Sequence, residues 1–418
     1  MRADRIGFYL TVILFGVIIL FGESFKLNLA FVKISLPLLL IAILLVNSFQ
    51  AGFLFYTTRL DYFIYAYLSI ILLYTIIGLI SGNSVRDVFE DLYPLLVFVL
   101  LYLVWRSWSI EQFTGLWKLI IVFGTLAAIK VIIIGFLPIE AGWDSVWQAA
   151  KEPLPLGSFS RIILRGGDIF LSISLVYYLL DVLRNKQGSM VRNLLYVLIC
   201  LVAVFISLSR SSFLADFLAI LFCIALFRSR FSTKKMISFG SILLVFLILI
   251  LPFINAISLA VSIFEARTDA FDNNNIAVSF RENENELVRD AASRTFYLGN
   301  GMGSYFYLPL SGSEKMDGRS IYVHNFNYWL LLKAGFPGLV IFCSIYFLGV
   351  RNYLQFLRHR TSADADFMLI TILAAGIIVW VISILANKFS TLSGAVFLAF
   401  FIAGSSVVKT SYENSRRS

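Results

Sequence analysis

The stretch MISFGSILLVFLILILPFINAISLAVS, residues 236–262, contains no charged side chain. About 20 helical residues cross a hydrocarbon core, so this run is long enough to span one. Lipid offers no water to the backbone, and every N–H and C=O must then be satisfied within the segment, which makes it a helix. Window hydropathy finds similar runs on both sides of it. With residues 236–262 they give twelve expected spans, with cores near 7–23, 29–48, 61–81, 88–106, 114–137, 167–184, 192–208, 211–227, 236–262, 323–350, 366–386 and 388–408. The sequence therefore predicts an all-α polytopic integral membrane protein. Composition agrees: 59% of the 418 residues are hydrophobic and 14% are charged, whereas a soluble domain carries about a quarter charged residues. Forty Phe and nineteen Tyr suit a lipid-facing surface with interfacial aromatics.

The net charge of +9 invites a nucleic-acid reading, but the placement of the charge speaks against it. Arg184, Lys186 and Arg192 lie between two apolar runs, and Arg228, Arg230, Lys234 and Lys235 between the next two. Arg351, Arg358 and Arg360 form a third cluster, and Lys409, Arg416 and Arg417 close the chain. The clusters fall on alternate loops, as the positive-inside rule requires, and place both termini in the cytoplasm. Arg2 and Arg5 precede an apolar run without a small-residue cleavage site, which reads as a retained first helix. Cys200, Cys223 and Cys343 all lie inside apolar runs and read as small buried hydrophobes. Residues 1–408 are expected to form a single transmembrane domain, and the Ser/Arg-rich residues 409–418 a disordered tail.

Two expected external segments are long: 137–165, and a polar loop over 263–322. Loops of that length usually carry function. In the second, Leu287, Val288, Ala291, Ala292 and Phe296 are spaced for a short amphipathic helix, which Gly299, Gly301 and Gly303 then end. No histidine, cysteine or carboxylate cluster has metal-ligand spacing, so no metal and no cofactor is expected.

Three groups on the expected outer face bear on chemistry, and each has a plainer reading. Ser209-Arg210-Ser211-Ser212 sits at a tight external turn, where the arginine either snorkels or grips an anion through its planar fork. Arg281, Arg289 and Arg294 precede the glycines, and they either pair with Glu282, Glu284, Glu286 and Asp290 or bind phosphate. His324-Asn325, next to Tyr322, marks the mouth of the expected tenth span. A lone histidine is more often structural, yet one at this boundary suits a general base for a hydroxyl. Gly335-Phe-Pro337-Gly338 then predicts a kink or break at membrane depth. Arg161 and Arg165 close the first long loop as acceptor or phosphate contacts. Carboxylates offer a rival: Glu140, Asp144, Glu152 and Asp168 lie in or beside that loop. Asp364-Ala-Asp366 falls at an expected cytoplasmic helix start and reads as capping. Lys130 and Asp216 lie within spans and read as a functional or a structural pair.

Over residues 207–346 these elements resemble the O-antigen polymerase and O-antigen ligase superfamily. Ser209-Arg210-Ser-Ser-Phe-Leu214 resembles an R-x-x-x-L element. Ser279-Phe-Arg281 through Gly299-Asn-Gly301-Met-Gly303 resembles an external arginine followed by a glycine turn. His324-Asn325, nine residues, then Gly335-Phe-Pro-Gly338 resembles H-N-x9-G-x-x-G. The resemblance implies a GT-C-like fold in the bacterial inner membrane and a periplasmic, metal-independent, inverting glycosyltransferase. Its donor would be an undecaprenyl-diphosphate-linked glycan, and its acceptor a growing glycan or lipid A-core. Carried over by position, Arg210 and Arg281 would hold the diphosphate and His324 would activate the acceptor hydroxyl. Arg161, Arg165, Arg289, Asn325, Tyr322 and Ser209 would contact substrate. The implied partners are the glycan substrates and the bilayer, with room for a chain-length regulator and none for nucleic acid.

The chain departs from each branch of the family. Polymerases often carry R-x10-G in the earlier external loop, where eleven residues after Arg161 stands Ser172 and after Arg165 Val176. Ligases often carry threonine after the final glycine, where Leu339 stands. The arginines closing the first long loop favour a polymerase of lipid-linked repeat units, with the ligase as the alternative. A flippase or exporter of lipid-linked glycans is a further alternative. Transporters tend to show two related halves and a midplane site, whereas this chain concentrates its polarity in one external loop.

Overall fold

The computed structural model describes residues 2–22, 26–29, 32–50, 59–136, 142–144, 149–153, 160–164, 167–184, 190–207, 210–227, 276–307, 319–358 and 363–417. Twelve α-helices are described: α1 (Arg2–Phe21), α2 (Leu36–Gln50), α3 (Arg59–Ile80), α4 (Val85–Trp105), α5 (Ile110–Phe136), α6 (Asp168–Leu183), α7 (Met190–Ser207), α8 (Arg210–Phe227), α9 (Ile276–Ser293), α10 (Phe326–Arg358), α11 (Ala363–Ala386) and α12 (Leu392–Arg417). Among the described residues, seven of these helices are long and apolar enough to cross a membrane. The chain is thus a helical, multi-pass membrane protein. α1–α8 and α10–α12 overlap eleven of the segments expected to span, with the one expected from residue 29 helical only from Leu36, and the span expected at 236–262 lies outside the described residues.

Short antiparallel sheets, which the all-helical reading omitted, join some of these helices. β1 (Lys26–Leu29) pairs with β2 (Val32–Ser35). β3 (Gly142–Asp144), β4 (Ala149–Pro153) and β5 (Ser160–Leu164) form a three-stranded sheet in the first long segment expected to be external, and β6 (Phe306–Tyr307) pairs with β7 (Arg319–Ser320). Their spans are too short for hydropathy to register as alternation. α12 runs on through Arg417, into the tail expected over residues 409–418. Once a long helix is nucleated, adding a polar turn costs little, and composition alone cannot show where it stops.

The core forms around α12, which packs on α4 and α10. Phe400 stacks on Phe113 with ring centroids 4.2 Å apart and on Trp117 at 5.9 Å. Gly404 leaves space that a Cβ would deny to the Phe113 and Tyr353 side chains. Small residues of this kind let membrane helices approach closely where no hydrophobic effect drives them together. Some polar groups inside the bundle are paired. Arg106 forms an ion pair with Asp61, both buried, and the Tyr102 hydroxyl donates to the same carboxylate at 2.7 Å. Lys130 and Asp216 do not meet: the Lys130 ammonium donates to the Leu20 carbonyl at 2.6 Å. Asp366 lies within the first turn of α11, not at its cap, and is buried.

The spacing of Gly335 and Pro337 predicts a break, and α10 breaks at Gly335, whose φ of 64° and ψ of −170° are not helical. A glycine is required there, since L side chains avoid positive φ. The glycine turn supplies backbone partners around the break. Asn300 N–H donates to Leu332 C=O at 2.8 Å, Gly301 N–H to Lys333 C=O at 3.0 Å, and Phe336 N–H to Tyr297 C=O at 2.8 Å. Gly299 itself is pressed so close to the break that a Cβ would lie 2.6 Å from Gly335 N.

Candidate active site

α9 is the amphipathic helix expected inside the polar loop, and it begins earlier than the apolar spacing alone suggested. Val288 and Ala292 are buried as expected, but Phe296 is exposed in a left-handed turn past the helix end. Its inward stripe also includes an acid. Glu284 is 2% exposed and faces the start of α10. There its carboxylate accepts from the His324 backbone N–H at 3.1 Å and lies 3.0 and 3.1 Å from His324 Nδ1. An ionised carboxylate only accepts, so this contact assigns the proton of the neutral ring to Nδ1 and turns Nε2 to the opposite edge.

The rest of the mouth orients this ring. The Tyr322 ring stands edge-on to His324, with centroids 5.1 Å apart, and its hydroxyl donates to Ala386 C=O at 3.2 Å. Asn325 caps α10 in the usual way, its side-chain oxygen accepting from Asn327 N–H at 2.9 Å. On the far side, Asn387 adopts a left-handed backbone (φ 45°) and its amide donates to Val323 C=O at 2.7 Å. The next residue, Lys388, pairs with Asp168 at 2.5 Å, so the one member of the rival carboxylate set with a described side chain already faces a cation.

The sequence-derived residues are brought together unevenly. Arg281 lies three residues before Glu284 on α9, one turn away and about 60° round the helix, so its Cα shares the face that meets His324. Arg289 lies about 140° round from Glu284; it is exposed and 4.0 Å from Glu286. Arg294 pairs with Asp290 at 2.6 Å, so the plainer reading of solvated partners fits both. Arg210 opens α8, and its side chain, like that of Arg281, lies outside the described residues. Arg161 is in β5 opposite Glu152 of β4. Ser209, Arg165, Glu140 and residues 228–275 lie outside the described residues.

Two functional-looking features escaped sequence reading. Glu284 is hidden in the run Arg281-Glu-Asn-Glu-Asn-Glu286, which reads as solvated. Its signal was present, because Leu287, Val288 and Ala291 stand three, four and seven residues on, at helical spacing. The second is a buried ion pair beneath the glycine turn, Lys333 of α10 with Asp91 of α4 at 2.8 Å. Asp91 also accepts from Gly303 N–H at 2.6 Å, and Lys333 donates to Ser304 C=O. Nothing in sequence spacing connects residues so far apart. The glycine run is therefore a clamp between α3, α4 and α10, with the three-glycine spacing set by close approach rather than by phosphate: a Cβ on Gly301 would lie 2.5 Å from Gly78 Cα.

No curated protein matches the chain. One solved structure, titled "Structural coordination of polymerization and crosslinking by a peptidoglycan synthase complex", contains a chain 13% identical to this one. It has a TM-score of 0.43 over 84% of this chain and 97% of that one, which is too distant to bear on fold or function. A family match is more telling, since it spans α7, α8, α9, the glycine turn, His324 and the break at Gly335. Residues 195–343 match the family described as Wzy_C: O-Antigen ligase, which supports the resemblance of that segment to the O-antigen polymerase and ligase superfamily.

Proposed function

We propose that the chain transfers a glycan from a lipid diphosphate to a sugar hydroxyl at the mouth built around His324. The observation that carries this reading is the His324–Glu284 contact on the helix that also bears Arg281. With its Nδ1 proton held by Glu284, His324 offers Nε2 as general base. The acceptor hydroxyl oxygen attacks the anomeric carbon of the donor sugar and its proton passes to Nε2. The bond from that carbon to the diphosphate oxygen breaks, and the electron pair leaves with the undecaprenyl diphosphate. Attack opposite the leaving group inverts the anomeric centre. Arg281 and Arg210 take up the charge developing on the diphosphate, as fixed cations do most effectively where water is scarce.

The alternation of basic loops supports a mouth on the periplasmic side of the bacterial inner membrane. The acceptor we favour is another lipid-linked repeat unit, which makes the chain a polysaccharide polymerase. The family's description as a ligase supports the second reading, transfer to lipid A-core. A reconstituted assay with lipid-linked repeat units, run with and without lipid A-core, separates the two. Chain growth without the core means polymerase, and product only with the core means ligase. In either case His324→Ala must abolish product while the protein still folds; unchanged product refutes the catalytic assignment.

A further inference from the structure

The direction in which His324 offers Nε2 depends on the peptide that carries the ring, and that peptide is held from two sides. The unit between Val323 and His324 is planar, and its C=O and N–H point opposite ways. Its N–H donates to Glu284 Oε2 at 3.1 Å. Its C=O accepts from the Asn387 side-chain amide at 2.7 Å. A carbonyl only accepts, so the amide nitrogen of Asn387, not its oxygen, must face Val323. Anchored at both ends, the plane cannot turn about the axis joining its two Cα atoms.

Asn387 is itself firmly placed. It follows the last residue of α11 and is fully buried. Its own N–H donates to Ser383 C=O at 3.0 Å. Its left-handed backbone (φ 45°, ψ 51°) is one that asparagine tolerates better than most side chains. Before it, Ala386 C=O accepts from the Tyr322 hydroxyl at 3.2 Å. After it, Lys388 pairs with Asp168 at the start of α6, and Phe389 is buried against Phe326, the first residue of α10, with ring centroids 5.2 Å apart. The end of α11 and the start of α10 are thus joined at several points, and Asn387 is the link that reaches the peptide bearing His324. The His324 side chain, by contrast, is 36% exposed, so packing leaves the ring room to swing if its peptide turns.

We propose that Asn387 is a positioning residue, which holds Val323 C=O so that both the backbone N–H and the Nδ1 of His324 stay on the Glu284 carboxylate. This role rests on the reading of His324 as general base and extends it to a residue that acts through the backbone. Without the amide the peptide plane can rotate, the ring leaves Glu284, and its proton is free to sit on either nitrogen. A neutral ring with the proton on Nε2 has no lone pair there to take a hydroxyl proton.

Asn387→Gly tests it, because glycine accepts the left-handed backbone and only the side chain is lost. The chain has two histidines, His324 and His359. Nitrogen NMR of the full-length protein in lipid, labelled in its histidine rings, therefore resolves His324 by subtraction against His324→Ala. At alkaline pH, where imidazole is neutral, wild type should show His324 in the Nδ1–H tautomer alone. Asn387→Gly should show both tautomers. Its kcat, scaled to folded protein, should fall roughly tenfold to a hundredfold with KM for the lipid-linked glycan unchanged. A role in stability alone would lower the yield of folded protein and leave tautomer and kcat as in wild type. Asn387→Asp keeps the side-chain volume and the left-handed backbone without the donor, and serves for the same measurements should the glycine variant not fold. A single Nδ1–H tautomer with wild-type kcat in the folded variant, or an Nε2–H tautomer in wild type, overturns the proposal. If His324→Ala still transfers glycan while Asn387→Gly mixes the tautomers, the general-base reading fails and the hold on His324 stands.

Discussion

Neutralising one partner of the Lys333–Asp91 pair should destabilise the protein more than neutralising both. The two groups are 2.8 Å apart and buried. At an effective dielectric of 20 their attraction is about 6 kcal/mol, against a desolvation cost of several kcal/mol per ion. The net worth of the intact pair is therefore small, but a lone charge left behind keeps its desolvation cost without compensation. Asp91→Asn, which strands the ammonium, and Lys333→Met, which strands the carboxylate, should each cost about 3–5 kcal/mol. The double variant removes both charges and keeps an acceptor for Gly303 N–H. It leaves Ser304 C=O without its donor, for about 1–3 kcal/mol. Equilibrium unfolding by graded SDS in dodecyl maltoside micelles, followed by tryptophan fluorescence, measures all three. The coupling between the two sites should come out strongly non-additive. Single variants as stable as wild type, or a double variant that loses the sum of the singles, would refute the reasoning.

Glu284→Gln keeps the shape of the side chain and removes its charge from His324. Turnover should drop at least ~10-fold, and no further than in His324→Ala, which forfeits the ~10²–10⁴ of general-base catalysis; wild-type kcat would show that the contact is not used. Gly335→Ala places a Cβ against Leu298 and 2.7 Å from Gly299 N at a positive φ, whereas at Gly82 (φ 81°) a Cβ meets nothing within 4 Å. Gly82→Ala should therefore show only the ~1–2 kcal/mol backbone cost and Gly335→Ala clearly more in the same SDS titration, an ordering that equal losses would contradict. In a chain lacking the three native cysteines, Glu282→Cys should react with an impermeant maleimide in intact spheroplasts, because Glu282 is exposed. Protection at that position would reverse the proposed orientation.

The spans were legible in sequence because lipid imposes one requirement, an unbroken apolar run, and that requirement is local. The position of His324 at a helix mouth, the break at Gly335 and the helix ahead of the glycine turn were legible for the same reason: each is marked by a boundary or a period. What was not legible is pairwise. Asp91 looks like one of several acids at a helix start, and Lys333 like an isolated cation within a span. Only their meeting under Gly303 makes sense of either. Glu284 illustrates an intermediate case, where the helical period marked its side as inward while its neighbours' charge argued for solvent. Phe296 went wrong in the other direction, since the helix ended at Ser293 and the period no longer applied.

The break in α10 also constrains the order in which the protein can be assembled. Around Gly335 the carbonyls of Leu332 and Lys333 and the amide of Phe336 are satisfied by Tyr297, Asn300 and Gly301, not within the helix. Bilayer hydrocarbon tolerates such a backbone only when protein covers it. A nascent α10 released into the bilayer before the preceding loop has folded would expose these groups to lipid. The segment 294–307 therefore covers backbone that the following helix cannot satisfy by itself. Lesions within it should surface first as failed membrane integration and proteolytic turnover, before any defect in sugar chemistry could be measured.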